Sequence, residues 1–149
     1  MTTTIRRATP DDINALVNFN QAMAHETEGK VLDKDTLTQG VARLINQPEY
    51  GFYLVAETDG EIAAGLMVTY EWSDWRNGLF WWIQSVYVMP DFRRQGLYTA
   101  LYNEVKALAE KQTGVCGFRL YVEKENIAAQ KTYQALGMQE CEYFMYQNK

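Results

Sequence analysis

One stretch constrains the fold of this chain more than any other: Val86-Tyr87-Val88-Met89-Pro90-Asp91-Phe92-Arg93-Arg94-Gln95-Gly96-Leu97-Tyr98. Its first residues are β-branched or aromatic, which suits a strand, and Pro90 cannot continue a ladder. From Gly96 the spacing becomes that of a helix, with Leu97, Leu101, Val105 and Leu108 on one apolar stripe. A strand that feeds an amphipathic helix in this way needs a sheet on which the helix can pack. The turn between them also has a chemistry. The first N–H groups of a helix lack intrahelical partners, the helix dipole adds positive potential, and Arg93 and Arg94 stand beside them. Such a junction is built to hold phosphates. The chain has neither the Gly-Lys-Ser/Thr ending of a nucleotide P-loop nor a three-glycine dinucleotide fingerprint, which disfavours a nucleoside triphosphate.

The remaining elements can be placed around this unit. Thr3 to Arg7 suits a first strand, and Pro10-Asp11-Asp12 opens a helix carrying Ile13, Leu16, Val17 and Met23. His25 to Lys30 reads as a polar turn, and a second helix is predicted from about Asp33 to Asn46. Phe52 to Glu57 and Glu61 to Tyr70 form a hairpin through Asp59-Gly60, and Leu79 to Met89 forms a long aromatic strand. After the helix from Gly96, the pattern predicts a strand at Phe118 to Val122, a helix at Ala128 to Leu136 and a last strand at Cys141 to Tyr146. The expectation is a mixed α/β (α+β), mostly antiparallel sheet of six to seven strands flanked by about four helices.

Composition excludes several classes. With 149 residues and 47% hydrophobic content, the chain suits one globular domain over residues 1–149. No apolar run reaches membrane-spanning length and the first residues lack a signal-peptide core, so the expectation is no membrane association and cytoplasmic residence. Fourteen basic against 19 acidic residues leave no nucleic-acid footprint and suit a cationic substrate. Cys116 and Cys141 lack ligand spacing and His25 is the sole histidine, so no metal site is expected. The cysteines read as buried, reduced thiols and His25 as a surface or helix-end residue.

A second segment gives the phosphate turn its context. Arg93, Gly96 and Tyr98 resemble the Arg/Gln-x-x-Gly-x-Gly/Ala signature of the GNAT superfamily of N-acetyltransferases, with Tyr98 where Gly or Ala is usual. Asn126-Ile127-Ala128-Ala129-Gln130-Lys131-Thr132-Tyr133-Gln134-Ala135-Leu136-Gly137-Met138 is similar to the family's Asn-x-x-Ala-x-x-x-Tyr-x-x-x-Gly-Phe pattern. Asn126 also suits a helix cap and Gly137 a left-handed helix stop. Within the superfamily, the Glu26-to-Gly29 turn, the aromatic strand and the spacing from Trp72 to Tyr133 look more like the spermidine/spermine and thialysine acetyltransferase branch than like aminoglycoside or ribosomal-protein enzymes.

The resemblance implies acetyl-coenzyme A as cofactor, coenzyme A as product and no metal. It puts Val86, Tyr87 and Val88 beside the thioester, Arg93, Arg94, Gln95, Gly96, Leu97, Tyr98 and Thr99 around the pyrophosphate, and Asn126, Ala129 and Tyr133 on the opposite wall. By the same resemblance Tyr133 is the general acid toward the departing sulfur. The backbone N–H of Val88 suits the oxyanion contact. Gln84 stands where several relatives carry a glutamate base. An amide cannot take a proton, so Gln84 is expected to orient a water, with Glu26, Glu28, Glu71 or Asp74 receiving the proton. Glu26, Glu28, Trp72 and Asp74 are the candidate acceptor-site residues, the acids for a cationic amine and the tryptophan for its charge. Alternation puts Trp81 and Trp82 on opposite faces of their strand. The predicted activity is acetyl transfer to a primary amine of a small molecule such as an amino acid or polyamine. The alternatives are a protein lysine or N-terminal acetyltransferase, or a catalytically weak acyl-coenzyme A sensor. The family resemblance also implies pairing as a homodimer.

Overall fold

The computed structural model describes residues 2–149. Five strands form one sheet in chain order: Thr3–Arg7 (β1), Gly51–Thr58 (β2), Glu61–Ser73 (β3), Gly78–Val88 (β4) and Val115–Arg119 (β5). Four α-helices accompany them: Ile13–Glu28 (α1), Lys34–Asn46 (α2), Leu97–Glu110 (α3) and Ile127–Ala135 (α4). Neighbouring strands are antiparallel from β1 to β4, and β5 runs parallel to β4 after the crossover through α3. The mixed α/β layout with four helices matches the sequence expectation.

The strand count does not. The described residues hold five strands rather than six to seven, because Cys141–Tyr146 enters no ladder. Its residues favour β structure, but that preference is realised only where a neighbouring edge accepts the backbone N–H and C=O groups. Tyr143, Phe144, Met145 and Tyr146 are instead 69%, 91%, 63% and 90% exposed. Strand β5 also begins earlier than its apolar run suggested, because pairing with β4 sets its bounds, from Leu79↔Val115 to Trp82↔Arg119.

Helix α1 runs on to Glu28, so most of the predicted polar turn is helical. Gly29 ends it at φ 63°, in the left-handed region, and its N–H donates to the carbonyl of His25 at 3.1 Å. At the other end of the chain, Gly137 (φ 91°) stops α4 and its N–H reaches the carbonyl of Gln134 at 3.0 Å. The Asp59-Gly60 hairpin forms as its sequence demands, with positive φ at both residues (50° and 81°).

Two apolar layers hold the sheet. Leu16, Val17 and Phe19 of α1 and Val41 and Leu44 of α2 pack with Tyr53, Val55 and Tyr87 on one face. Leu97, Leu101, Tyr102 and Val105 of α3 pack with Leu54, Leu66, Trp81 and Ile83 on the other. Trp81 is fully buried, whereas Trp82 lies half-buried on the opposite face, as alternation requires. A polar tie lies where the chain leaves β1: Arg6 donates to Asp12 at 2.7 and 3.0 Å and to Glu57 at 3.0 and 3.2 Å, and Asp12 is only 4% exposed. Cys116 and Cys141 are exposed free thiols, not buried ones; Cys116 sits on the edge strand β5 and Cys141 in the unpaired C-terminal segment.

Candidate active site

The site begins with an irregularity in β4. Met67 pairs with Gln84 and Gly65 with Tyr87, so the single residue Leu66 stands opposite both Ser85 and Val86. Ser85 takes φ 52°, the signature of an extra residue accommodated as a bulge. After it, Val86 and Val88 face the α3 layer, and Tyr87 turns to the α1 layer, its ring 5.3 Å from that of Phe19. Pairing with β5 has already ended at Trp82. Met89 donates to the carbonyl of Ala63 at 2.9 Å, so alternation directs the N–H and C=O of Val88 away from β3. The Val88 N–H is thereby offered to a cleft instead of to a neighbouring strand.

The basic turn closes one end of that cleft. Arg94 and Gly96 adopt φ 64° and 77°, and Gly96 leads directly into α3. A Cβ at Gly96 would meet nothing within 4 Å, so glycine serves the left-handed backbone there. The helical bond from Ala100 N–H to the Gly96 carbonyl (3.0 Å) leaves the amides of Leu97, Tyr98 and Thr99 ahead of it without helical partners. Arg93 is held in place: its Nε donates to the Val88 carbonyl at 2.8 Å and its guanidinium meets Glu26 at 3.0 Å. The Tyr87 hydroxyl donates to the other Glu26 oxygen at 3.1 Å.

A cavity of about 310 Å³ results. It brings together Val86, Tyr87, Val88, Arg93, Tyr98, Asn126, Ala129 and Tyr133 of the predicted cofactor set. It adds Met23, Thr27 and Thr132, which no motif singled out, and Glu26, which was expected at the acceptor mouth. Arg94, Gln95, Gly96 and Thr99 are exposed around the turn outside it, and Leu97 points into the core at 6% exposure. On the far wall Asn126 caps α4 by accepting from Ala129 N–H at 3.1 Å. Burial pushes the Tyr133 phenol above its ordinary value of about 10, which keeps it a proton donor at neutral pH. Tyr98 stacks its ring edge-on to Tyr133 at 5.6 Å.

A second cavity, about 450 Å³, opens at the other end of β4. Glu71, Trp72, Asp74, Trp75, Trp82 and Arg119 line it, together with Cys141 and Tyr143 to Met145 of the unpaired segment. Glu71 accepts from Trp82 Nε1 at 2.8 Å and from Arg119 at 3.0 Å, and Arg119 lies 3.7 Å over the Phe80 ring. Among the described residues Asp74 forms no ion pair. Of the candidate acceptor residues, Trp72 and Asp74 line this cavity together; Glu28 does not join them, but pairs with Lys30 at 3.2 Å and lines neither cavity. Gln84 lies between the cavities on the strand, its amide donating to Thr69 at 2.6 Å and accepting from the Tyr121 hydroxyl at 3.2 Å. No group of three or more potential metal ligands occurs among the described residues.

The arrangement is one strand with a basic strand-to-helix turn, a backbone N–H freed from its ladder and a tyrosine on the opposing helix. The family model for the acetyltransferase (GNAT) family matches residues 16–138, and the chain belongs to that family. It is thus an acetyl-coenzyme A-dependent N-acetyltransferase. It is 30% identical over 115 residues to an aminoglycoside N(6')-acetyltransferase type 1 from Acinetobacter genomosp. 13, covering 74% of this chain and 77% of that one. This relative is an aminoglycoside enzyme and not one of the polyamine branch. A solved structure of a possible acetyltransferase from Clostridium difficile 630 is 48% identical and superposes with a TM-score of 0.92 over 100% of this chain and 98% of the other. A predicted acetyltransferase from Clostridium acetobutylicum, solved with acetyl-CoA, shares the fold at 18% identity and TM-score 0.80, over 99% of this chain and 96% of that one.

Proposed function

We propose that the chain acetylates a primary amine of a small cationic molecule, bound in the cavity of Glu71, Trp72, Asp74, Trp75 and Trp82. One observation carries this: the same strand opens a cavity of about 450 Å³ at one end and the backbone cleft with its phosphate turn at the other. That volume is within the range of small-molecule sites, roughly 300–1,000 Å³. Trp82 and Val86 are four residues apart, or ~13 Å at strand rise, a span that an amine and an acyl arm can bridge from opposite sides.

The residues present fit acetyl-coenzyme A. Unpartnered amides of Leu97, Tyr98 and Thr99 face the place a pyrophosphate needs, with Arg93 and Arg94 adding charge. Val86, Tyr87 and Val88 line the narrow part of the cleft, and Asn126, Ala129 and Tyr133 its opposite wall. The bound group supplies an activated acetyl thioester. Val88 N–H, turned from β3, is directed to the oxygen that gains charge, and Tyr133 delivers a proton to the departing sulfur.

The acceptor must lose a proton first. For an alkylammonium with pKa about 10.4 this costs about 4–5 kcal/mol at pH 7. Juxtaposition of the two reactants contributes about 7–11 kcal/mol in well-oriented cases, which exceeds that cost. Gln84, fixed by Thr69 and Tyr121, orients a water between the cavities. Glu71, two residues along β3 from the Thr69 that holds Gln84, is the nearer carboxylate, whereas Asp74 lies in the β3–β4 turn, ~20 Å away at strand rise.

The test is a panel of small amines and lysine-bearing or free N-terminal peptides with acetyl-coenzyme A, read by thiol release and mass spectrometry. Amine-dependent thiol release with acetylated small molecules is the expected outcome. Acetylation confined to peptides, or cofactor binding without turnover, would overturn the assignment in favour of a protein acetyltransferase or a sensor.

A further inference from the structure

An exposed aromatic patch lies at the end of the sheet where β3 turns into β4. It is assembled from two segments far apart in sequence: Trp72 of β3 and Trp75 of the turn that follows, and Tyr143, Phe144 and Met145 of the C-terminal segment. Trp75 is 85% exposed and Phe144 91%, yet both line the cavity of about 450 Å³ assigned above to the acceptor. Large apolar side chains gathered in one exposed group mark a binding surface. These converge on a cavity of small-molecule size, so what covers them fits inside it.

The charges in the cavity narrow what that is. Two carboxylates, Glu71 and Asp74, and two guanidiniums, Arg76 and Arg119, line it. Arg119 pairs with Glu71 at 3.0 Å, and Arg119 and Arg76 lie 3.7 and 5.0 Å from the centre of the Phe80 ring. The walls therefore carry no excess of negative charge, and a polycation gains little from them. A single ammonium with an apolar body gains more. Its body covers the exposed rings, and its head lies toward Glu71 and Trp82, the cavity residues nearest Gln84 along their strands.

We propose that the acceptor is an arylalkylamine, with Trp75 and Phe144 as the specificity-determining residues that receive its ring. The inference rests on the acceptor site proposed above and names the class of amine that fills it. The ring occupies the aromatic end of the cavity, and a short alkyl arm carries the amine toward Gln84. Tyr143 and Phe144 belong to a segment that enters no ladder, so they settle against a bound ring without disturbing the sheet. Rings contributed by a turn and by a separate segment offer both the offset and the edge-on contacts that aromatic pairs favour.

The test measures kcat/KM with acetyl-coenzyme A for phenylpropylamine, propylamine and spermidine. The first two carry the same charge, so their ratio reads the ring alone. The parent is compared with Trp75→Ser, Phe144→Ser and the control Tyr50→Ser, whose residue is also exposed but lines neither cavity. Cofactor titration, calorimetry and gel filtration accompany the kinetics. The parent should favour phenylpropylamine over propylamine and spermidine by about tenfold or more. Trp75→Ser and Phe144→Ser should each lower the phenylpropylamine-to-propylamine ratio about three- to tenfold through the KM for phenylpropylamine, with cofactor affinity within about twofold and the thermal midpoint unmoved. Tyr50→Ser should keep the parent's ratio. A parent that uses propylamine or spermidine as well as phenylpropylamine overturns the proposal and leaves acetyl transfer to small amines standing, as does a ratio that survives both substitutions. A parent dimer that Phe144→Ser dissociates with the ratio intact also overturns it, giving the patch to a second copy of the chain. A parent that releases no thiol with any small amine would sink this proposal together with the function it rests on.

Discussion

Glu26, near the end of α1, meets Arg93 of the turn after β4 at 3.0 Å and receives the Tyr87 hydroxyl at 3.1 Å on its other oxygen. Two elements far apart in sequence are joined by this pair across the mouth of the cofactor cleft. Both side chains are about two-fifths exposed (44% and 40%), so the pair adds at most about 1 kcal/mol to stability. Its effect is electrostatic: a carboxylate beside an anion site both occupies Arg93 and repels phosphate. Glu26→Gln keeps an oxygen for Arg93 and turns its amide N–H, a donor, toward the Tyr87 hydroxyl oxygen, but removes the charge. The expected outcome is acetyl-coenzyme A affinity tighter by about two- to fivefold at low ionic strength, converging on the parent at high salt, with the amine KM unchanged. Titration at two salt concentrations checks this, and an amine KM that rises while cofactor affinity stays fixed would return Glu26 to the acceptor side.

The opposite signature is expected from the other cavity. Asp74 lacks an ion-pair partner among the described residues and Trp72 is 60% exposed on the rim. Asp74→Asn should raise the KM of a cationic amine about three- to tenfold, and Trp72→Ala about two- to fivefold, with acetyl-coenzyme A affinity unmoved. Steady-state kinetics with both substrates varied separates the two.

Gly96 holds its turn open through backbone conformation alone. At φ 77° a β-branched residue is disfavoured even though no atom lies within 4 Å of its would-be Cβ. Gly96→Val should cost about 1–2 kcal/mol, lowering the thermal midpoint by roughly 2–8 °C, or else shift the turn. Either route misplaces the Leu97 to Thr99 amides, and a cofactor affinity weakened about tenfold or more is expected by calorimetric titration.

The Arg6–Asp12–Glu57 cluster sets an acid limit on the fold. Arg6 holds the Asp12 carboxyl below the usual carboxylate range, with a further bond from Thr9 N–H at 2.8 Å. A carboxyl whose pKa is lower folded than unfolded contributes fully above its unfolded value of about 3.9 and is lost as pH falls through the folded one. Stability should therefore be flat near neutrality and decline below about pH 4. Asp12→Asn should remove about 1.5–3 kcal/mol at pH 7 and flatten that acid decline, as measured by urea unfolding at several pH values.

What the sequence disclosed depended on whether a feature is local. Asn126 and Tyr133 share a helix, so their spacing alone brings both to the cleft wall; Gly96 and the helix after it were equally legible. The contact of Glu26 with Arg93 was not legible, because it depends on Gly29 ending α1 late and on a partner 67 residues away. Nothing in the residues around Gln84 and Ser85 announces which one is the extra residue, since the choice belongs to the register with β3. The same holds for Cys141–Tyr146, whose alternation and aromatic content state a preference that only a neighbouring strand can fulfil. Cys116 and Cys141 were misjudged for a related reason: one lies on the sheet's edge and the other in that unpaired segment, so neither is covered.

The bulge at Ser85 gives β4 a rhythm that misses a beat. Trp81 and Ile83, then Val86 and Val88, address the α3 layer, so odd numbers serve that core before Ser85 and even numbers after it. A saturating substitution scan along the strand would show intolerance to polar residues switching parity at that point. The parity switch would locate the junction between the two halves of the strand that the proposed function assigns to the amine and to the cofactor, without any ligand bound.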